Sequence, residues 1–119
     1  MAQDQVSKKY LYQGHVHGEA VSGIKLLALK IHDESKTFAG SAIVDTSSAV
    51  LETITGTLYT DNLHELHNNT VSFQFTTEHD KFIVSFYDKH EKWLGVVEAN
   101  PIKSVTVPGQ GTGCWEYDP

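Results

Sequence analysis

Residues 24–44, IKLLALKIHDESKTFAGSAIV, can be laid over residues 79–99, HDKFIVSFYDKHEKWLGVVEA, at an offset of 55. In the best-matched stretch Ile31, Asp33, Phe38 and Gly40 stand against Phe86, Asp88, Trp93 and Gly95. Upstream, Val16 falls on Val71 at the head of VSFQF; downstream, Val50 falls on Val105. A chain that doubles in this way builds its core from two like units, since neither buries its apolar face alone. With 119 residues there is room for two four-strand halves around one core, without disulfide or metal staples.

The strands are read from alternation. In VSFQF, Val71, Phe73 and Phe75 share a face; Phe82, Val84 and Phe86 do so in KFIVSFY, and Trp93, Gly95, Val97 and Ala99 in KWLGVVEA. The first half repeats the pattern with Val16, Gly18 and Ala20, then Leu27, Leu29 and Ile31, then Phe38, Gly40, Ala42 and Val44. Side chains two apart lie on one side of a strand, so each set is assigned to the interior. The fourth strand of the first half is VLETITGTLY; its partner lies in IKSVTV or in GCWEY. Glycines 18, 40, 56 and 95 fall inside strands, where they mark bends or bulges that let a small barrel close.

Residues 32–36 and 88–92 are polar hairpin loops at matching places, and Glu78-His79-Asp80 is a shorter one. Between the halves, residues 60–69 carry a short helix of about two turns, with Thr60 or Asp61 as its cap and Leu63 and Leu66 on one side. The fold class expected is therefore all-β, a closed eight-stranded antiparallel barrel of two similar, Greek-key-like four-strand halves with one short helix between them. Residues 1–9 are assigned as a flexible N-terminal tail and 10–119 as one barrel domain, with halves at about 10–59 and 70–117. A bore of eight strands is either just filled by side chains or holds one small ligand. The aromatic supply of the second half, facing glycine and alanine of the first, favours filling.

A net charge of −6 with nine Lys plus Arg excludes a phosphate-tracking basic face, so no nucleic-acid partner is expected. No apolar run approaches the roughly 18 residues of a membrane-spanning helix. The first residues, MAQDQVSKK, contain no apolar signal region. Cys114 is the sole cysteine, which excludes an internal disulfide framework.

Seven histidines raise the question of metal binding. His15 and His17, two apart on one strand, can aim at one ion, but their phase opposite Val16 places them outside, and no metal or other cofactor is assigned. His64 and His67, three apart on the helix and flanked by Glu65 and Asn68, form a solvated pair that would charge as pH falls. Glu52 alternates in phase with Val50 and Ile54, which turns it inward. A carboxyl in an apolar bore has a raised pKa and can serve as a general acid or base. Tyr87 joins Glu52 as a candidate ligand contact in that case. Cys114 has no basic neighbour to favour a thiolate, and Ser47, Ser48 and Ser104 lie in no nucleophile elbow, so no catalytic residue is assigned. Residues 108–113, PGQGTG, lack the spacing and lysine of a phosphate loop, and Asn68-Asn69-Thr70 is a glycosylation triplet only in a eukaryotic secretory setting.

From Gly56 to Tyr117 the chain resembles the core of the virulence-associated proteins of intracellular actinobacterial pathogens. The likeness is carried by GTLYTDNLHELHNNTVSFQF, then FYDKHEKWLGVVEA, then the close GQGTGCW. It implies a compact eight-stranded barrel with a filled interior, secretion, action inside host phagocytic compartments and no catalytic residues to carry over. The chain departs from the family pattern in its short N-terminal region and in the Pro108, Gln110 and Thr112 that interrupt the glycine-rich close.

Two functional readings follow. In the first, a secreted, non-catalytic barrel acts through its surface on a host membrane or host protein, with histidine protonation reducing repulsion from anionic lipid. In the second, a small-molecule or cyclase-type barrel holds its ligand in a cavity lined by Glu52 and Tyr87. Oligomeric state is not encoded in any of these features.

Overall fold

The computed structural model describes residues 10–45 and 49–117; the expected tail at 1–9, and Ser47 and Ser48, lie outside the described residues. Eight strands run in chain order as β1 (Tyr12–Gly23), β2 (Leu26–His32), β3 (Lys36–Ala42), β4 (Val50–Thr60), β5 (Ser72–Glu78), β6 (Lys81–Tyr87), β7 (Trp93–Ala99) and β8 (Gly109–Tyr117), with a helix, α1 (Leu63–Asn69), between β4 and β5. They close into an antiparallel barrel in the order β1-β2-β3-β8-β5-β6-β7-β4. In each half the fourth strand lies beside the first, β4 beside β1 and β8 beside β5. The seams between halves are β3–β8 and β4–β7. The last strand, undecided between two segments in the sequence, is built on GCWEY.

Alternation correctly turns Val16, Ala20, Leu27, Leu29, Ile31, Phe38, Phe73, Phe75, Phe82, Val84 and Phe86 into the bore. Phe38 meets Phe73 and Phe86 edge-on at 5.5 and 4.9 Å between ring centroids, and Trp115 leans on Phe38 and Phe86 at 5.5 and 5.4 Å. These rings fill the axis of the barrel, as the sequence suggested.

Trp93 is a correction. The β2–β3 turn closes with Asp33 N donating to Lys36 O, whereas the β6–β7 turn spans one residue more, with Asp88 N donating to Lys92 O. The extra residue throws Trp93 out of phase and pairs it with Tyr87 on the outer wall; the register then shifts between Phe86 and Tyr87, and Gly95 returns opposite Phe86. Leu94, absorbed in this irregularity, is buried instead of the tryptophan. Trp93 packs outside, 5.4 Å from Tyr10, which also covers Tyr59 at 5.8 Å. Val71, assigned to the interior, is also partly exposed, because β5 begins one residue later.

Each end of the barrel is closed differently. At one end α1 sets Leu66 into the core. Its cap is Asn62, not Thr60 or Asp61: the Asn62 side chain accepts from Glu65 N at 3.0 Å. Thr60 is buried beneath it and donates from its hydroxyl to Leu94 O at 2.6 Å. At the other end residues 100–108 fold inward on Ile102 and Val105. β7 pairs with only Gly56–Tyr59 of β4, so the rest of that edge would lie open. Asn100 extends the ladder with its side chain, accepting from Thr55 N at 2.6 Å and donating to Thr53 O at 2.9 Å, which covers an edge that would otherwise invite pairing with another chain.

Closure brings backbones into near contact at several glycines, Gly18 and Gly56 among them. A Cβ at Gly18 would stand 1.8 Å from the Lys30 carbonyl oxygen, and one at Gly56 2.2 Å from that of Glu98, whereas one at Gly23 would meet nothing within 4 Å. Gly18→Ala and Gly56→Ala should each cost about 1–3 kcal/mol through overpacking, seen as a lowered urea midpoint. Gly23→Ala should move the midpoint little; equal effects at all three positions would mean that these close approaches do not govern closure.

Candidate functional site

The outer wall formed by β1, β2, β3 and β4 is graded along the strands. At the end farthest from α1, Val21 lies opposite Leu51 on one side and Ala28 on the other. Ile24 and Lys25 form the β1–β2 turn, and Val44 N reaches back to Lys25 O at 3.4 Å, which holds the end of β3 against that turn. Val21, Ile24, Leu26, Ile43 and Leu51 are all exposed there, Ile24 at 74 % and Ile43 at 84 %. Single exposed apolar side chains are ordinary; five grouped at one end of a wall are a patch. One rung up, Glu19 pairs with Lys30 and Thr53. Above them His17 faces His32 across the strands, with ring centroids 5.2 Å apart, and His15 stands next along β1. The sequence placed His15 and His17 outside, and both are exposed. The position of His32 beside them follows from register and was missed. The patch was legible only as Val21 and Leu26 occurring in the phase of His17 and Lys30, where polar residues are expected.

His64 and His67 part company. His64 is exposed, its carbonyl accepting from Asn68 Nδ2 at 2.9 Å. His67 is not the surface group expected: it is buried, and its Nε2 donates to Asp33 Oδ2 at 2.6 Å while its ring stands 5.2 Å from that of Trp115. A helix docked across a barrel end turns one side inward, and three-residue spacing puts His67, one place after Leu66, on that side. Asp33 also holds the β2–β3 turn, its Oδ1 accepting from Ser35 N at 2.8 Å and Lys36 N at 2.7 Å. Burial opposes its charge, but the hydrogen bond from His67 and the two from the turn outweigh this and hold the carboxyl below its usual range. Asp88 repeats the turn without the histidine, accepting from His90 N and Lys92 N at 2.8 and 2.9 Å.

Glu52 does not serve as a raised-pKa acid in the bore. Its carboxylate sits at the loop-closed end and accepts from Lys103 N at 2.7 Å, from Ser104 N at 2.9 Å and from the Ser104 hydroxyl. Desolvation raises its pKa, but these bonds prevail and the pKa is lowered. Glu52 is thus a clasp on residues 100–108. Tyr87 lies on the outer wall, donating to Gln74 Oε1 at 3.4 Å, and shares no space with Glu52. Beside it β5, β6 and the start of β8 frame an open depression of about 380 Å³ lined by Gln74, Thr76, Ile83, Ser85, Pro108 and Gln110. Cys114 is exposed, and partial burial followed by the negative charge of Glu116 raises its pKa, which disfavours the thiolate. Among the described residues no three His, Cys, Asp or Glu side chains are grouped to hold a metal.

His67→Ala would take the hydrogen-bond donor from buried Asp33 Oδ2 while the two turn bonds to Oδ1 remain, a change worth about 1–3 kcal/mol. Glu65→Ala, which breaks the exposed Lys92–Glu65 pair, 2.9 Å apart, should cost little because solvent screens it. Folded Asp33 and Glu52 have pKa values below their unfolded ones, so their contribution is present above the unfolded carboxylate range, about pH 4, and is lost as pH falls through the folded values. Urea midpoints between pH 7 and 2.5 should show that acid loss diminished in Asp33→Asn and Glu52→Gln. An unchanged acid limb, or a His67→Ala cost no larger than that of Glu65→Ala, would contradict these roles.

The sequence profile described as Rhodococcus equi virulence-associated protein matches residues 3–116. Among solved structures the chain is similar to the virulence-associated protein VapB from the intracellular pathogen Rhodococcus equi, with a TM-score of 0.85 at 29 % identity over 90 % of this chain and 98 % of that one. It is also similar to VapD from the same organism, with a TM-score of 0.79 at 31 % identity over 88 % of this chain and 97 % of that one. No curated protein sequence matches it significantly. The match along almost the whole chain, on the same closed barrel, means that this protein belongs to the Rhodococcus equi virulence-associated protein family.

Proposed function

We propose that this protein is secreted, non-catalytic and host-directed, and that it works through its outer wall at membranes of acidified host compartments. The observation that carries this reading is the exposed apolar end of the wall, Val21, Ile24, Leu26, Ile43 and Leu51, with Lys25 at the apex of the turn. Secretion and host-directed action are part of the proposal through kinship with virulence-associated proteins of an intracellular pathogen.

A convex group of apolar side chains on a turn and a neighbouring strand end suits a fluid interface better than a rigid pocket. Each such side chain contributes up to about 1.5–3 kcal/mol if fully buried, and a lysine near an anionic surface adds about 1 kcal/mol. The net charge of −6 opposes approach at neutral pH. Histidines as a class gain charge between pH 8 and 5, and His15, His17 and His64 stand on the surface. Acidification therefore removes part of the repulsion while the apolar end supplies adhesion. The alternative, a ligand in an internal cavity, loses its support from the rings that fill the bore, the tethering of Glu52 and the outward position of Tyr87.

Flotation with vesicles of phosphatidylcholine and phosphatidylserine should recover the protein at pH 5.5 and far less at pH 7.5. The double variant Ile24→Glu/Leu26→Glu should cut recovery at pH 5.5 at least tenfold without unfolding the barrel. Absence of binding at both pH values, or binding indifferent to the double variant, would refute the proposal.

A further inference from the structure

We infer that the depression on the outer wall of the second half, framed by β5, β6 and the start of β8, is a binding site for an uncharged saccharide. It exists because the wall is stepped. β5 and β6 stay paired from Ser72 opposite Tyr87 to Glu78 opposite Lys81, whereas the β5–β8 ladder stops at Phe75 opposite Gly109. The residue before Gly109 is Pro108, which has no N–H and cannot extend the ladder. There the chain leaves the wall for the closing segment, where Val105 is buried and its carbonyl accepts from the Thr77 hydroxyl at 3.3 Å. Thr76 is thus left without a neighbour on β8, and the wall steps down beside it. The resulting concavity of about 380 Å³ falls within the range of about 300–1,000 Å³ typical of small-molecule sites.

The polar lining consists of carboxamides and hydroxyls. Gln74 stands between Gln110 on one side and Ser85 on the other, in one row across the three strands, and Thr76 lies in a neighbouring row opposite Ile83. All of these line the depression, with Ile83 and Pro108 as its apolar surface. Beside it the Tyr87 hydroxyl donates to Gln74 Oε1 at 3.4 Å, which leaves Gln74 Nε2 available as a donor. The side chains of Thr76, Ser85 and Gln110 have no hydrogen-bond partner among the described residues. Gln74, Thr76, Ser85 and Gln110 stand on strands, where a packed backbone holds them, and not on loops.

This lining decides the class of ligand. No residue that forms it is charged, so neither an anion nor a cation would meet a counter-charge. The nearest charge in register, Glu98 opposite Ile83, is paired with Lys81 at 3.6 Å. A wholly apolar ligand would strip water from the amides and hydroxyls without replacing its hydrogen bonds, which is unfavourable. A peptide adding as a strand needs a free sheet edge, whereas β5 and β6 are each paired on both sides here. Hydroxyls and carboxamides both donate and accept, as the hydroxyls of a sugar do, and the C–H face of a pyranose ring fits against Ile83 and Pro108. The depression is open outward, so it covers only part of a ligand and binds weakly. It lies on the other half from the apolar end, and the inference does not depend on lipid binding.

Heteronuclear NMR spectra of the full chain, titrated with the methyl glycosides of glucose, galactose, mannose and N-acetylglucosamine, test the assignment, with glycerol as the control polyol. At least one glycoside should give saturable shifts in the side-chain amide signals of Gln74 and Gln110 and in backbone signals of residues 74–76, 83–85 and 109–110. Gln74→Ala and Gln110→Ala should each weaken that binding by roughly fivefold, as loss of one hydrogen bond implies, while the dispersion of the remaining signals shows the barrel intact. Gln13→Ala, on β1, should leave binding unchanged. Shifts no larger than those with glycerol, shifts centred on other residues, or full affinity in both variants would overturn the assignment. Saturable shifts with an uncharged glycine–alanine peptide and none with the glycosides would overturn it as well.

Discussion

Phe38, set edge-on against Phe73 and Phe86 and touched by Trp115, joins the two halves of the chain at the axis of the barrel. Phe38 and Trp115 face each other across the β3–β8 seam, in direct register. Edge-on aromatic pairs contribute about 0.5–1.5 kcal/mol each beyond the area they bury, and only a closed ring of eight strands brings these four together. A bore of this size is consumed by such side chains. The proposed function accordingly rests on the outer wall and the two ends.

The two halves solve the same folding problem and then diverge at one residue. Asp33 and Asp88 close equivalent turns through the same acceptor oxygen. In the first half the second oxygen of Asp33 takes His67 from α1 and so staples the helix to the barrel. In the second half a turn one residue longer leaves the aspartate half-buried and expels Trp93 to the outer wall. Trp115, from the last strand, occupies the interior, at the expense of an indole N–H buried with no partner among the described residues, a cost of about 1–3 kcal/mol.

Most of the fold was legible because alternation is a local signal: ten or so interior positions, both long hairpin turns and the helix follow from spacing alone. Trp93 shows where such reading stops, since a one-residue irregularity reverses the face of everything up to the next one. The sites were less legible, for a related reason. His67 and Glu52 have partners 34 and 52 residues away, and neither distance leaves a trace in local spacing. The His17–His32 pair likewise depends on the register of two strands, which their sequences do not state.

The outer wall of the first half combines an apolar end, an opposed Glu–Lys rung and a histidine row within three rungs of one sheet. Among the described residues the second half has no such gradient: its outer wall carries Gln74, Ser85 and Trp93, the last packed against Tyr10. The proposed membrane contact depends on this asymmetry between halves built from a repeat. Hydrogen–deuterium exchange of the unaltered protein at pH 5.5, with and without anionic vesicles, tests it most directly. The account predicts new protection confined to residues 21–28 and 41–51. Protection centred instead on α1 or on the depression beside Tyr87, or exchange that rises throughout the strands, would contradict it.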